Sequence, residues 1–255
     1  MNFYWSDTPM PWLRYMSIAS FRCFHPDVPI TLHTGPSTDK TWTTGEAGAE
    51  SYAGYDWRQN LTEIGVTVEH YVPPIALPPQ QAQDMRRWDV LASGGKWADM
   101  DVLFAATLPP IEGDAISCRD GVLRVGLTSG APGGVFADVR AMALQGYDPS
   151  RYQTLGTEAI YALAFGERLT PEEVVGRDTL AALEKVTGKH VENLPTEWLQ
   201  PFEPHELHEH DELPDCYGLH WFGGYPESNE ASRTMTPDNW RDYRGAIPRA
   251  LERIL

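Results

Sequence analysis

Apolar positions along this chain switch between a spacing of about two and a spacing of about 3.6, which predicts strands alternating with helices. Phe3-Tyr4-Trp5 reads as a short aromatic strand. Trp12 to Phe24 carries apolar residues on a helical period and ends before His25-Pro26. Val28 to His33 and Ile64 to His70 read as strands, the latter through alternating Ile64, Val66 and Val68. Residues 35 to 60, rich in Gly, Thr, Ser and Asp, read as a long loop or small insertion, and Pro73, Pro74, Pro78 and Pro79 as an extended linker. The pattern then predicts a helix over Gln80 to Ser93, stopped by Gly94-Gly95 as a C-terminal glycine cap. Strands follow over Lys96 to Ala98 and Leu123 to Leu127, with Val102 to Phe104 a further strand or the exit of the first, and helices over Val139 to Gln145, Thr157 to Phe165 and Pro171 to Thr187. From Leu194 onward Pro195, Pro201, Pro204, Pro214 and Pro226 interrupt the pattern until a final helix over Trp240 to Leu255. The alternation argues for an α/β core, expected as a single domain without internal repeats.

Composition narrows the function classes. The 255 residues can bury one large core or two unequal ones. Acidic side chains number 36 against 20 Lys and Arg, a formal net charge of −16 that disfavours nucleic-acid backbones and anionic membranes as partners. The 9 Trp and 11 Tyr suit stacking on nucleobases and sugar faces as well as core packing. Three widely spaced cysteines, Cys23, Cys118 and Cys216, form no Cys-x-x-Cys pair and no disulfide framework, which points to a reducing, cytoplasmic location. The first residues lack the basic region and apolar run of a leader, and no window approaches the ~20 apolar residues of a membrane span.

The candidate chemistry sits after Gly94-Gly95. The predicted strand at Lys96-Trp97-Ala98 runs into Asp99-Met100-Asp101. Two carboxylates at i and i+2 at the end of a strand suit a hard divalent cation, Mg²⁺ or Mn²⁺, which bridges protein oxygens to substrate phosphates. An isolated Asp-x-Asp is usually a solvated turn; here its frame is Asp84-Met85-Arg86-Arg87, Trp88, Leu91, Gly94-Gly95 and Trp97.

That frame resembles the glycosyltransferase family with the sugar-binding, Asp-x-Asp-containing region, which includes the retaining family 32 enzymes and is similar to the catalytic domains of clostridial glucosylating toxins. Supporting likenesses lie in order along the chain: Phe3-Tyr4-Trp5 with Ser17-Ile18-Ala19-Ser20-Phe21 and His25-Pro26-Asp27, then Leu194-Pro195 to Phe202-Glu203-Pro204, then Gly218-Leu219-His220-Trp221-Phe222-Gly223-Gly224. The chain departs from the family at His25, which replaces an asparagine, at Gly156-Thr157, which replaces Gly-Pro, and in a helix before Gly94 one residue shorter than usual. The resemblance implies a GT-A fold, a single Rossmann-like mixed sheet flanked by helices with a variable, loop-rich lobe. Its nucleotide-sugar core would span about residues 1–130 and its acceptor side about 131–255 of one 1–255 catalytic domain. It implies a metal-dependent, retaining transfer of a hexose from a UDP- or GDP-sugar. In this reading Asp101 binds Mn²⁺ or Mg²⁺ directly and Asp99 binds it through water or holds donor hydroxyls. His220 contacts the metal or the diphosphate, Trp5 stacks on the base, and Asp84 and Arg87 hold the donor sugar. Donor contacts extend to Tyr4, Gly94, Gly95 and Ser228, with Ser228 and Asn229 on the β-phosphate. Asp99, Asp101 and Arg87 are the catalytic candidates; no nucleophile is named. The acceptor is open among a glycan, a lipid-linked sugar, a protein side chain and a modified base, the last disfavoured by the charge.

Two other classes compete. A glycoside hydrolase needs paired acids about 5–10 Å apart flanking a sugar, a role for which Asp99 and Asp101 sit too close on one strand end. A non-catalytic nucleotide-sugar binding module predicts binding without turnover. His205, His208 and His210 lie in a proline-bounded acidic stretch whose loose spacing favours a solvated loop over a zinc site. Gly133-Gly134 lacks the lysine and further glycines of a phosphate loop and reads as a turn.

Overall fold

The computed structural model describes residues 1–35 and 52–255. Among these residues the regular elements are β1 (Asn2–Ser6), α1 (Trp12–Phe24), β2 (Ile30–Gly35), β3 (Val66–His70), α2 (Pro79–Ala92), β4 (Lys96–Ala98), β5 (Val102–Phe104), β6 (Ala115–Arg119), β7 (Val122–Ser129), α3 (Val135–Gln145), α4 (Thr157–Phe165), α5 (Thr179–Thr187), β8 (Glu192–Asn193), β9 (Gly218–His220), α6 (Pro226–Thr234) and α7 (Ala246–Glu252). The protein is α/β, with a seven-stranded mixed sheet in the order β3-β2-β1-β4-β7-β6-β8 and helices flanking it. Pairing is parallel for β2–β3, β1–β4 and β6–β8, and antiparallel for β4–β7 and β6–β7. A separate antiparallel pair joins β5 to β9. Among the described residues no helix is long and apolar enough to cross a membrane.

The chain divides into two compact units. The first comprises Met1–Asn2, Tyr71–Ala98 and Pro110–Thr196. Its helix α2 is anchored by Trp88, which is fully buried, stacks on Phe136 at 5.9 Å and donates its indole N–H to the Leu155 carbonyl. Asp114, also buried, closes the start of α3: its carboxylate accepts from the Ala131 N–H (2.8 Å) and the Val135 N–H (2.6 Å). The second unit comprises Phe3–His70, Asp99–Pro109 and Glu197–Leu255. Its core gathers Trp12, Leu13 and Met16 of α1 with Leu103, Leu219, Trp221, Trp240 and Ile247.

In that second unit α1 is tied to the Asp99–Phe104 segment by two buried serines. The Ser17 hydroxyl donates to the Met100 carbonyl at 2.8 Å, and the Ser20 hydroxyl accepts from the Phe104 N–H at 3.0 Å while donating to the Ser17 carbonyl at 2.9 Å. The Ser-x-x-Ser spacing puts both on one helix face, which explains their burial on an otherwise apolar side.

Several sequence expectations change. The helix expected over Pro171 to Thr187 is a short turn at Glu172–Val174 followed by α5, because Gly176 takes φ 79° and Asp178 starts a new helix by accepting from the Ala181 N–H. The helix expected over Trp240 to Leu255 is a turn at Trp240–Asp242 and then α7, separated at Gly245 with φ 94°. Helix α3 begins at Val135, four residues before the expected Val139, where the Asp114 carboxylate fixes its N-terminus. Strand β6 and helix α6 have no counterpart in the sequence reading. Of the loop expected over residues 35 to 60, positions 36–51 lie outside the described residues, and Trp57–Asn60 forms a single tight turn.

Candidate active site

Strand β5 pairs with β9 so that Val102 faces His220, Leu103 faces Leu219 and Phe104 faces Gly218. This register brings the residue before β5, Asp101, beside the end of β9, and the Trp221 N–H donates to the Asp101 carbonyl at 2.8 Å. The side chains follow. Oδ1 of Asp101 stands 3.2 Å from Nε2 of His220, and Oδ2 accepts the Gly223 N–H at 2.8 Å. Between them Phe222 takes a left-handed φ of 49°, which a bulky side chain rarely adopts. Its ring stacks on His220 at 4.3 Å. Burial by itself would raise the Asp101 carboxyl. The His220 charge and hydrogen bond, the Arg14 guanidinium and the Gly223 N–H override it and hold the group well below the usual carboxylate range. Asp101 is thus a buried, oriented carboxylate at neutral pH.

His220 is itself positioned from behind, with Nδ1 2.8 Å from the Gln200 side-chain amide nitrogen. A Gln amide serves either imidazole tautomer, donating to Nδ1 as placed or accepting from it when turned over, and the second arrangement leaves the Nε2 lone pair for a ligand. Arg14 on α1 is buried, with its guanidinium carbon 4.5 Å from the ring centre of Trp221 and 5.5 Å from that of Trp5. Trp5 is 6% exposed and donates its indole N–H to the Thr8 carbonyl at 3.0 Å. Tyr4 is buried with its hydroxyl against Gly35, and burial first, then Asp7, raises its phenol. Beyond Gly223, α6 begins at Pro226 with Ser228 in its first turn. Ser228 is 0% exposed and its hydroxyl has no hydrogen-bond partner among the described residues. The Asn229 side chain donates to the Gly223 carbonyl at 3.3 Å.

Of the sequence candidates, Trp5, Asp99, Asp101, His220 and Ser228 belong to the second unit, and contacts join Asp101 to His220 directly. Asp99 is buried beside them in the chain, at the start of the turn in which the Val102 N–H donates to its carbonyl at 3.3 Å. Asp84 and Arg87 belong to the first unit, where both are buried and bonded at 2.7 Å across one turn of α2. Gly156 lies against this pair: a Cβ there would come 2.9 Å from Oδ2 of Asp84. Arg86 instead stacks on Tyr71 at 5.1 Å, so Arg87 is the arginine that meets Asp84. Gly94 takes φ 88° in the turn out of α2, and the space a Gly95 side chain would need is filled by Val90. Gly133-Gly134 is a turn whose helix N-terminus the Asp114 carboxylate already fills. His210 stacks on Phe202 at 4.4 Å. The sequence reading missed Arg14, Gln200 and the Gly223 N–H; only Arg14, a cation within the largely apolar run that opens α1, left a trace in the pattern.

Whether these residues fit the cation that the family resemblance implies is decided by Asp101 and His220. Two neighbouring ligands on an octahedral ion with bonds of about 2.1 Å stand about 3.0 Å apart. The Oδ1 and Nε2 atoms, at 3.2 Å, have that separation. Among the described residues no three His, Cys, Asp or Glu side chains converge as a metal-holding group.

No protein-family profile matches the chain, and no curated protein does. Similar solved structures include the PaToxG glycosyltransferase, 14% identical over 74% of this chain and 76% of that one with a TM-score of 0.44. The galactosyltransferase LgtC in complex with donor and acceptor sugar analogs is 14% identical over 95% of this chain and 99% of that one, with a TM-score of 0.43. The glycosyltransferase GlyE of Streptococcus pneumoniae TIGR4 is 11% identical over all of this chain and 60% of that one, with a TM-score of 0.44.

Proposed function

We propose that this protein is a glycosyltransferase that moves a hexose from a nucleoside diphosphate sugar, UDP- or GDP-linked, to an acceptor hydroxyl, with a divalent cation held at Asp101. The observation that carries the reading is the Asp101 carboxylate, kept ionised in a buried site with His220 Nε2 at 3.2 Å from Oδ1. Asp101 and His220 would hold Mn²⁺ or Mg²⁺, with Asp99 contributing through water or toward donor hydroxyls. The cation's chemistry is to neutralise the charge that builds on the diphosphate as the anomeric carbon–oxygen bond breaks.

The chain's own residues do the rest of the binding. Gly223 orients Asp101, Gln200 orients His220, and the buried Ser228 hydroxyl in the first turn of α6 is a donor suited to a phosphate oxygen. Trp5 offers its indole to the base. The family resemblance adds retention of anomeric configuration.

The test is a thermal-shift panel of UDP, GDP and CMP with their sugar conjugates, with and without Mn²⁺. A ligand that binds only the folded state stabilises it by about 2.7 kcal/mol at a hundred times its dissociation constant. A metal-dependent shift with one nucleotide, lost in Asp101→Asn, supports the reading, and slow hydrolysis of the matching sugar conjugate separates an enzyme from a binding module. No shift with any nucleotide would reject it.

A further inference from the structure

Arg14 is the charged group of this site that the proposed chemistry does not use. A buried guanidinium is costly to desolvate and stays charged at every physiological pH. This one is 4% exposed and stacked near two indoles, Trp221 at 4.5 Å and Trp5 at 5.5 Å. It also fills the space beside the backbone that orients Asp101: a Cβ on Gly223 would come 2.2 Å from Nη2 of Arg14. The Gly223 N–H is the donor to Oδ2 of Asp101. The Gly223 peptide thus adjoins the Arg14 guanidinium on one side and bonds the Asp101 carboxylate on the other. The positive charge is therefore fixed beside the carboxylate where a divalent cation would bind.

Like charges in a buried site repel, so Arg14 opposes a cation arriving alone. A nucleoside diphosphate brings two to three negative charges, which satisfy both the cation and the guanidinium. We propose that Arg14 couples the two ligands, weakening binding of the divalent cation by itself and strengthening binding of the diphosphate, so that the cation is held firmly only together with the nucleotide. This rests on the glycosyltransferase reading of the same site.

The experiment measures free Mn²⁺ by electron paramagnetic resonance during titration of the protein, alone and with saturating UDP or GDP. In the wild type the nucleotide is expected to tighten Mn²⁺ binding about tenfold or more, within the range of ordinary coupling between sites. In Arg14→Met, Mn²⁺ alone should bind several-fold more tightly, the metal-free nucleotide more weakly, and the coupling should shrink. Arg14→Lys keeps the charge without the planar stacking face and should keep the coupling. Parallel weakening of both ligands in Arg14→Met and Arg14→Lys would mark Arg14 as packing alone and overturn the proposal. So would wild-type Mn²⁺ binding that the nucleotide leaves unchanged, a result needing no variant. A wild type that binds neither ligand rejects the glycosyltransferase reading itself, and the inference with it.

Discussion

The Ser17 hydroxyl donates a 2.8 Å hydrogen bond to the carbonyl of Met100, the residue between the two aspartates of the site. Ser17 is fully buried, so the bond is made out of reach of water and fixes the backbone that aims Asp99 and Asp101. Ser17→Ala leaves the carbonyl without that donor at a cost of about 1–3 kcal/mol. The expected outcome is a lower urea midpoint with unchanged slope, together with weaker metal-dependent nucleotide binding by the fraction still folded. Ser20→Ala, which strips the partner of the Phe104 N–H, should cost similar stability with less effect on nucleotide affinity.

Asp56 gives the second unit an acid-sensitive tie. Burial opposes its ionisation, yet the Arg58 side chain and the Met10 and Arg58 N–H groups hold the carboxyl below its ordinary value. A depressed folded value means the stabilisation is complete above the unfolded pKa and disappears as pH falls through the folded one. Stability measured by urea unfolding should therefore fall below about pH 4. Asp56→Asn should be less stable than the wild type at pH 7, by an amount that shrinks as pH falls, so that the two converge on the acid side. Parallel curves would count against the assignment.

What the sequence made legible was local. Thr157–Phe165 is a compact apolar run, and its ends match the sequence pattern because nothing distant overrides them. Asp99-Met100-Asp101 stood out for the same reason. Helix α6 did not, because its PESNEASRT sequence buries Ser228, Asn229 and Ser232 beside a single apolar residue, Ala231. Strand β9 begins with Gly218, a residue that weakens strands but is required here, since a Cβ would lie 2.6 Å from the Leu103 carbonyl. Arg14, Gln200 and Gly223 reach Asp101 and His220 only through the β5–β9 pairing and the seating of α1, and neither is written in any short window.

The Asp84–Arg87 pair in α2 is a stability element of the first unit as well as a donor candidate. Both side chains are buried at a 2.7 Å contact, and removing one member of such a pair costs about 3–5 kcal/mol. Arg87→Ala is expected to lower the unfolding free energy, measured by urea denaturation, by that amount. Arg87→Lys keeps the charge but loses the planar fork and should fall between the two.

The Gln200 amide supports the imidazole from the side away from Asp101, 2.8 Å from Nδ1. Gln200 is half-buried and sits outside any stacking contact, so its loss should disturb the fold little. Without it the His220 ring loses a partner that fixes its tautomer, and a ligating histidine that loses such a partner typically binds metal 10–100-fold more weakly. Gln200→Ala should therefore raise the Mn²⁺ dissociation constant in the presence of nucleotide by about that factor, with little change in melting temperature. Gln200→Glu, whose carboxylate accepts from Nδ1–H and fixes the Nε2 lone pair outward, should restore most of the affinity. If both substitutions leave Mn²⁺ binding at its wild-type value, His220 is not a ligand and the cation's protein contacts reduce to the aspartates.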